Sequence, residues 1–288
     1  MLVYTSHAEV GSVIYVNRGK PSDQRPVIIV SSIKLRDDAG LFAFYDATIE
    51  LMKGSDVQTA LRAHIDPAKA AFYPRFFKTG PGQYGEGDKF LGITVPQTRA
   101  AIKPFRDLPL KEVEKLLLSK WHEDRLAALL ILVWQYSRAD QTTQKEIYEF
   151  YLSHTNYINN WDLVDSSAEH IVGPYLDSRP DKMPVLMQLA KSESLWDRRI
   201  AILSTFHYIK KGRADETLAI AGVLLHDSHD LIQKATGWML REIGKRVDRS
   251  VLTDYLEKHA HDMPRTTLRY AIEHLPAEQR IRYLHMKP

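Results

Sequence analysis

The chain has 288 residues, of which 44% are hydrophobic and 26% are charged, a composition typical of a folded globular protein. It contains no cysteine, which excludes disulfides, cysteine-ligated zinc and thiol catalysis. The net charge of +3 permits a polyanionic partner without requiring one.

No segment approaches the roughly 20 apolar residues that are needed to cross a bilayer. The N-terminus, MLVYTSHAEV, lacks the basic start and the apolar stretch of a signal peptide. We therefore expect a cytoplasmic protein with no membrane partner.

The first 50 residues differ in pattern from the rest of the chain. The β-branched runs VGSVIYVN (10–17) and PVIIVSSIKL (26–35) are separated by the turn-rich GKPSDQRP (19–26), which is typical of a small hairpin. Alternatively, the biological chain starts at Met52, because MKGSDVQTALRAHI resembles a natural helical beginning. The expected division is an N-terminal extension of residues 1–52, either β-like or disordered, followed by a helical domain of residues 53–288.

The segment TGPGQYGEGDKFLGITVP (79–96) is rich in glycine and contains two prolines. It is not a phosphate-binding loop, since it lacks the Gly-Lys-Ser/Thr ending and no strand leads into it. On its own evidence the segment is predicted to be a loop that joins helices.

The remainder of the chain is predicted to be helical and repetitive. Five segments with a polar residue ahead of a small and apolar stretch can be aligned, at Arg125, Asp165, Arg199, Lys234 and Arg269. Their separations of 40, 34, 35 and 35 residues are typical of stacked helical pairs. The predicted fold is an all-α solenoid of HEAT-like or armadillo-type repeats, whose concave face presents these five residues in a row.

Asp165 is the one acid in that row, and Trp161 precedes it by four residues. In a helix this spacing places both side chains on one face, with β-carbons about 5–6 Å apart. Core packing is the ordinary explanation for a tryptophan, and it applies to Trp161, Trp196 and Trp238 alike. Asp165 is less easily explained by structure alone, because Asp162 lies closer to the expected helix start and is better placed to interact with the helix dipole.

Other kinds of site are poorly supported. No HExxH, nucleophile-elbow, Rossmann or kinase signature occurs. His226 and His229 of HDSHD (226–230) could bind a metal, but a solvated turn is the simpler interpretation. We expect no metal and no cofactor.

Four segments together resemble the AlkD family, the bacterial DNA glycosylases built of HEAT-like repeats that excise alkylated purines. They are FFKTGPGQYGEGDKFLGITVP (76–96), WDLVDSSA (161–168), LWDRRIAIL (195–203) and KATGWMLRE (234–242). The resemblance covers roughly residues 55–288. It implies a monomeric base-excision repair enzyme that acts on double-stranded DNA containing alkylated bases.

The resemblance also implies roles for individual residues. Asp165 would be the catalytic carboxylate, and Trp161 and Trp238 would be aromatic walls around the damaged nucleoside. Arg199 would contact the DNA backbone at the lesion, and Arg241 would be a further phosphate contact. Lys234 and Arg269 are the remaining expected DNA contacts.

Residue chemistry agrees with such a reaction. Purines alkylated at N3 or N7 are cationic, indole faces attract cations, and a carboxylate stabilises a sugar that becomes oxocarbenium-like. Glycosidases normally need a second carboxylate to protonate the leaving group. A base that is already cationic leaves as a neutral purine without that proton, so one acid is enough. By the resemblance, excision would not require extrusion of the base.

Two other functions remain open from the sequence. A non-catalytic repeat protein could bind DNA structure through the same concave face, in which case Arg199, Lys234 and Arg269 matter and Asp165 is dispensable. A pure scaffold without a nucleic-acid partner would show no retention on DNA and no sensitivity to salt.

Overall fold

The computed structural model of the chain describes residues 32–36, 42–46 and 52–286. Near the N-terminus two strands, β1 (Ser32–Arg36) and β2 (Phe42–Asp46), form an antiparallel hairpin. β1 overlaps the second predicted strand run, whereas β2 was not predicted. The first predicted run, residues 10–17, lies outside the described residues.

The described residues from Gly54 onward form sixteen α-helices joined by loops and two short 3₁₀ turns. The helices are α1 (Gly54–Arg62), α2 (Pro67–Phe76), α3 (Val95–Ala101), α4 (Leu110–Leu117), α5 (His122–Tyr136), α6 (Gln141–Ser153), α7 (Trp161–Asp165), α8 (Ala168–Asp177), α9 (Lys182–Ala190), α10 (Leu195–Ser204), α11 (Phe206–Ile209), α12 (Asp215–Val223), α13 (Asp230–Arg246), α14 (Arg249–His259), α15 (Arg265–Ala271) and α16 (Ala277–His285). The all-α prediction is confirmed. Between residues 52 and 286, no helix is both long enough and apolar enough to cross a bilayer.

Many of these helices begin at a side chain that accepts a hydrogen bond from the first free backbone amides. Asp66 caps α2, Asp140 caps α6 and Asp248 caps α14, each through its carboxylate. Such caps satisfy donors that have no partner within the helix, and each stabilises the helix by about 1 kcal/mol.

One row of helices runs through the stack. α5 packs on α7, α7 on α10, α10 on α13 and α13 on α15, and each carries one of the five aligned polar residues. Helices such as α9 and α14 pack behind the row, against α10 and α13. A single apolar core continues from Val57 to Tyr283. The prediction of a helical repeat solenoid is confirmed.

The segment between α2 and α3 is a loop, and buried polar groups fix it to the helix row. Glu123, 1% exposed at the start of α5, accepts hydrogen bonds from the backbone amides of Leu91, Gly92 and Ile93 at 2.8 to 3.2 Å. These bonds satisfy three buried backbone donors at once. The loop is therefore held in place beside the repeats.

Candidate active site

The two tryptophans expected as aromatic walls line the same cleft, which has a cavity volume of about 440 Å³. We call it the tryptophan cleft. Its lining residues are Phe76, Lys78, Tyr84, Trp161, Arg199, Leu231, Lys234, Ala235, Trp238 and Tyr270. They come from α2, the loop after it, and the row helices α7, α10, α13 and α15.

Trp161 is the first residue of α7, and Asn160 caps this helix by accepting a hydrogen bond from the Trp161 amide at 2.9 Å. Its indole stacks on Phe77, with ring centroids 5.5 Å apart and an interplanar angle of 21°, and meets Phe76 edge-on at 5.8 Å. These contacts fix the half-buried indole against the cleft, in arrangements that aromatic pairs prefer.

Trp238 forms part of the cleft from α13 and is half-buried, with the ring of Phe206 at 6.0 Å. Trp196 is different, since it is 9% exposed and packs edge-on against Tyr84 at 5.9 Å. Core packing therefore accounts for Trp196, whereas Trp161 and Trp238 both reach the cleft.

Asp165 is the last residue of α7 and is bound to Arg199, which lines the cleft. Nε and Nη2 of Arg199 each donate to one carboxylate oxygen of Asp165 at 2.8 Å. The Asp165 side chain is 19% exposed and that of Arg199 is 6% exposed. This bidentate geometry fixes the orientation of the carboxylate.

Two effects of the surroundings on the pKa of Asp165 oppose each other. Burial raises the pKa of Asp165 above its ordinary value, and the Arg199 guanidinium acts to lower it. The net direction is upward, because removing a carboxylate from water disfavours its ionised form. Arg199 therefore limits how far burial can push Asp165 toward the neutral acid.

Arg199 is engaged within the protein at all three nitrogens. Besides the two bonds to Asp165, its Nη1 donates to the carbonyl oxygen of Leu231 at 2.6 Å. A guanidinium has five N–H groups, so two remain for other acceptors. The expected contact of Arg199 with the DNA backbone stays a prediction.

The hydrogen bonds also correct the alignment of the repeats. In α5, Arg125 donates to the carbonyl oxygen of Ser119, six residues before it. In α10 the residue that does this is Arg198, which donates to Ser192, again six residues before. Arg198 is thus the counterpart of Arg125, and the sequence alignment that used Arg199 was wrong by one residue. Arg199 is an additional arginine, turned toward Asp165.

The other expected DNA contacts are spread over a wider surface. Lys234 lines the tryptophan cleft and is paired with Asp230 at 2.7 Å. Arg269 is exposed on α15, next to Tyr270. Arg241 lines a separate cleft farther along α13. The structure therefore brings Lys234 together with the tryptophans, but not Arg241.

Sequence reasoning missed one whole wall of the cleft. Phe76, Lys78 and Tyr84 precede or belong to the glycine-rich loop, which we predicted as a connection and as part of the family resemblance, without a role for these three residues. Lys78 has a φ of 54°, a left-handed conformation that costs energy for a residue with a Cβ. The aromatic and basic residues among the glycines were the available signal.

A buried polar cluster, the Asp88 cluster, connects this loop to the start of α7. Asp88 accepts hydrogen bonds from Arg125 at 2.6 Å and from the amide side chains of Asn159 and Asn160 at 3.3 and 3.4 Å. His122 completes the cluster, with Nδ1 3.3 Å from Asp88 and Nε2 2.8 Å from a carboxylate oxygen of Asp162.

Burial alone would lower the pKa of His122, but the carboxylates of Asp162 and Asp88 raise it to about 9. The imidazolium form therefore prevails at neutral pH, and both ring nitrogens donate. Phe77 and Phe90 lie against the ring at 4.9 and 4.8 Å. Because Asp162 follows Trp161, this cluster positions the helix that carries both Trp161 and Asp165.

Of the two histidines of HDSHD, one lies on the protein surface and the other caps a helix. His226 is exposed and lies 3.6 Å from Asp262, and the Nδ1 of His229 accepts from the amide of Leu231 as the cap of α13. Over the residues that the structure describes, no group of three or more His, Asp or Glu side chains is arranged to hold a metal.

Comparison with known proteins shows the family to which the chain belongs. The family model described as "DNA alkylation repair enzyme" matches residues 57–275. A solved structure, the predicted DNA alkylation repair enzyme from Enterococcus faecalis, is similar in fold with a TM-score of 0.60 at 18% identity, over 74% of this chain and 98% of that chain. Among curated proteins none matches. The AlkD-like resemblance is thus confirmed, and the chain belongs to the DNA alkylation repair enzyme family, which gives it a role in DNA repair.

Proposed function

We propose that this protein is a DNA glycosylase that hydrolyses the N-glycosidic bond of cationic N3- or N7-alkylated purines in duplex DNA. The observation that carries the proposal is the convergence on one cleft of Trp161, Trp238 and Arg199, with Asp165 bound to Arg199 through both carboxylate oxygens. The family supplies DNA as the partner.

The two indoles account for binding of the damaged base. Each tryptophan face attracts a cationic ring by roughly 0.5–2 kcal/mol, depending on how much water is excluded. Phe77 stacks on Trp161 and Phe76 meets its edge, and Phe206 contacts Trp238. A cationic 7-methylguanine or 3-methyladenine therefore gains more in this cleft than an uncharged base.

Asp165 accounts for the chemical step. As the bond between C1′ and the purine nitrogen breaks, its electron pair neutralises the base and positive charge develops on the sugar. A carboxylate fixed beside that charge stabilises the transition state more than the ground state. Water then adds its oxygen to C1′ and releases a proton. Asp165 acts on this step through its charge alone or also by orienting the water.

Arg199 acts through Asp165. Its two parallel hydrogen bonds fix the rotamer of the carboxylate and favour the ionised form against the effect of burial. In this proposal Arg199 is a positioning residue, and its two remaining N–H groups are available to a backbone phosphate.

The size of the tryptophan cleft bears on the range of substrates. The cleft has a volume of about 440 Å³ and is lined by residues of four row helices. A groove along several helices suits a base that stays near the duplex. We propose excision without full extrusion and acceptance of adducts larger than methyl. Lys234, Arg269 and Arg241 would bind the backbone on either side.

The decisive experiment incubates the protein with a duplex that carries a single 7-methylguanine and measures the free base. The wild-type protein should release it, and Asp165→Asn should lower the rate by about 100-fold or more while duplex binding persists. Asp254→Asn, the same change at an exposed aspartate of α14, is the matched control. A duplex that carries uncharged hypoxanthine should be a poor substrate.

The charges of the cleft also favour a second function, binding of DNA without catalysis. Arg199 largely compensates Asp165, and Lys78 and Lys234 also line the cleft, so its surface suits phosphates as well as cations. A protein that only binds DNA structure would release no base, either as the wild type or as Asp165→Asn. Base release that is seen in the wild-type protein and in Asp254→Asn but is lost in Asp165→Asn would support the glycosylase.

A further inference from the structure

A second cleft, with a volume of about 180 Å³, lies between the C-terminal half of α13, the start of α14 and the end of α15. Arg241, Lys245, Arg249 and His274 contribute basic side chains to it, beside the apolar Leu252 and Leu275. We call it the basic cleft. None of these side chains takes part in the function proposed for the tryptophan cleft, apart from the suggested backbone contact of Arg241.

Two of the basic side chains in the basic cleft form no direct ion pair. Arg241 is paired with Glu273 and lies 3.6 Å from Glu242, so its charge is compensated. Among residues 52–286, no carboxylate lies within 4.0 Å of the amino group of Lys245 or of the guanidinium of Arg249. These two cations are therefore available to an anion.

One face of α13 joins the two clefts. Lys234, Trp238, Arg241 and Lys245 are spaced by four, three and four residues, which places them within about 60° around the helix axis. The first two line the tryptophan cleft and the last two line the basic cleft. From Trp238 to Lys245 the helix rises by about 10 Å.

The chain at α15 shows the same order. Tyr270 lines the tryptophan cleft, and His274, four residues later, lines the basic cleft. The two clefts therefore follow one another along α13 and along the segment that begins with α15, with aromatic walls in the first and basic side chains in the second. A ligand that occupies both must combine a flat ring with negative charge.

We propose that the basic cleft binds a phosphodiester group of the DNA backbone, with Lys245 and Arg249 as its charged contacts and His274 as a hydrogen-bond donor. This phosphate would lie about 10 Å from the damaged base, the helical rise from Trp238 to Lys245. That position rests on the function proposed above. A contact of this kind positions the duplex without reading its sequence.

The test measures binding of an undamaged duplex at several salt concentrations, with the full chain and a Lys245→Gln/Arg249→Gln double variant. Each lost phosphate contact makes the slope of log affinity against log salt less steep by about 0.9. Because one phosphodiester group is involved, we expect the slope of the double variant to be less steep by about 0.9, with weaker binding at every salt concentration. Lys111→Gln/Lys145→Gln, with equal loss of charge on α4 and α6, is the matched control, since both lysines are exposed and neither lines the tryptophan cleft or the basic cleft.

Base release and undamaged-duplex binding separate the two proposals. If the double variant shows the expected loss of slope but the wild-type protein frees no 7-methylguanine, the glycosylase proposal fails and the phosphate contact stands. If the Lys245/Arg249 variant binds as tightly and with the same slope as the wild type, or weakens no more than the control, the phosphate contact is overturned.

A titration with inorganic phosphate at constant ionic strength distinguishes the two sources of the anion. Binding of free phosphate that the double variant loses, together with unchanged duplex affinity, would assign the cleft to a small anion and overturn the DNA contact.

Discussion

Arg199 donates two parallel hydrogen bonds of 2.8 Å to the two carboxylate oxygens of Asp165, across 34 residues of sequence. The pair joins α10 to α7, two neighbours in the helix row. A third bond, to the carbonyl oxygen of Leu231, joins the same guanidinium to α13. One side chain thus sets the relative position of three helices that line the tryptophan cleft.

Arg199→Lys should separate positioning from binding. Lysine keeps the charge but cannot form the bidentate pair, so the carboxylate loses its fixed orientation. We expect base release at saturating duplex to fall by about 10- to 100-fold, with a much smaller change in duplex affinity. Arg198→Lys, a neighbouring arginine that binds Asp227, is the control and should keep the wild-type rate. Equal losses in both variants would point to general damage to α10.

Base release should have an acid limb that belongs to Asp165. Burial raises the pKa of this carboxyl above its ordinary 3.8, and only the ionised form stabilises a positive sugar. The rate should therefore fall as the pH decreases, with a midpoint above 3.8. Single-turnover release between pH 4 and pH 8, corrected for spontaneous loss of the base, measures it. A midpoint at or below the ordinary value would argue against the ionised carboxylate as the acting group.

His122 should make stability depend on pH in the alkaline range. Its pKa is raised from 6.5 to about 9 in the folded protein, so the charged ring stabilises the fold fully below pH 6.5, and this contribution is lost as the pH rises through about 9. The shift corresponds to roughly 3 kcal/mol. Urea unfolding of wild type and His122→Gln at pH 6, 7.5 and 9.5 tests it. The difference in unfolding free energy should shrink with rising pH, and a constant difference would contradict the assignment.

Gly92→Ala should destabilise the fold more than Gly82→Ala. Both glycines have a positive φ, 80° and 72°, so both substitutions carry the left-handed penalty of about 1–2 kcal/mol. At Gly92 the new methyl would also lie 2.7 Å from the Ala70 amide nitrogen and closer still to the Asp66 carbonyl oxygen, whereas at Gly82 nothing lies within 4 Å. Thermal unfolding should show a clear additional loss for Gly92→Ala, and equal midpoints would mean that the loop can move away.

The sequence predicted the helix row because its apolar period is repeated in every unit. The spacing of Trp161 and Asp165 and the position of Trp238 followed from the same regularity and from the family resemblance. The hairpin was predicted only in part, since we set residues 26–35 against residues 10–17 and passed over the turn residues DDAGL (37–41) ahead of β2. A run with several candidate partners cannot be paired from strand propensity alone, because that propensity reports packing against neighbours.

Three features of the site could not be predicted because they depend on long-range contacts. The bond between Arg199 and Asp165 requires α7 and α10 to be neighbours, and no local pattern indicates which arginine turns toward the acid. Asp88 meets Asn159 and Asn160 across more than 70 residues. The Tyr84 wall depends on how the loop after α2 folds back over the row.

The tryptophan cleft combines residues from two parts of the chain that differ in how far their sequence can change without disturbing the core. Trp161, Asp165 and Trp238 belong to the repeats, whose core residues are buried on several sides. Lys78 and Tyr84 belong to a loop that meets the row through a few anchoring groups, Glu123 and Asp88 among them. Exchanging loop residues ahead of those anchors would change the rim of the tryptophan cleft without touching the stacked helices. On the proposed function, the range of bases that the cleft admits could therefore change separately from the chemistry at Asp165.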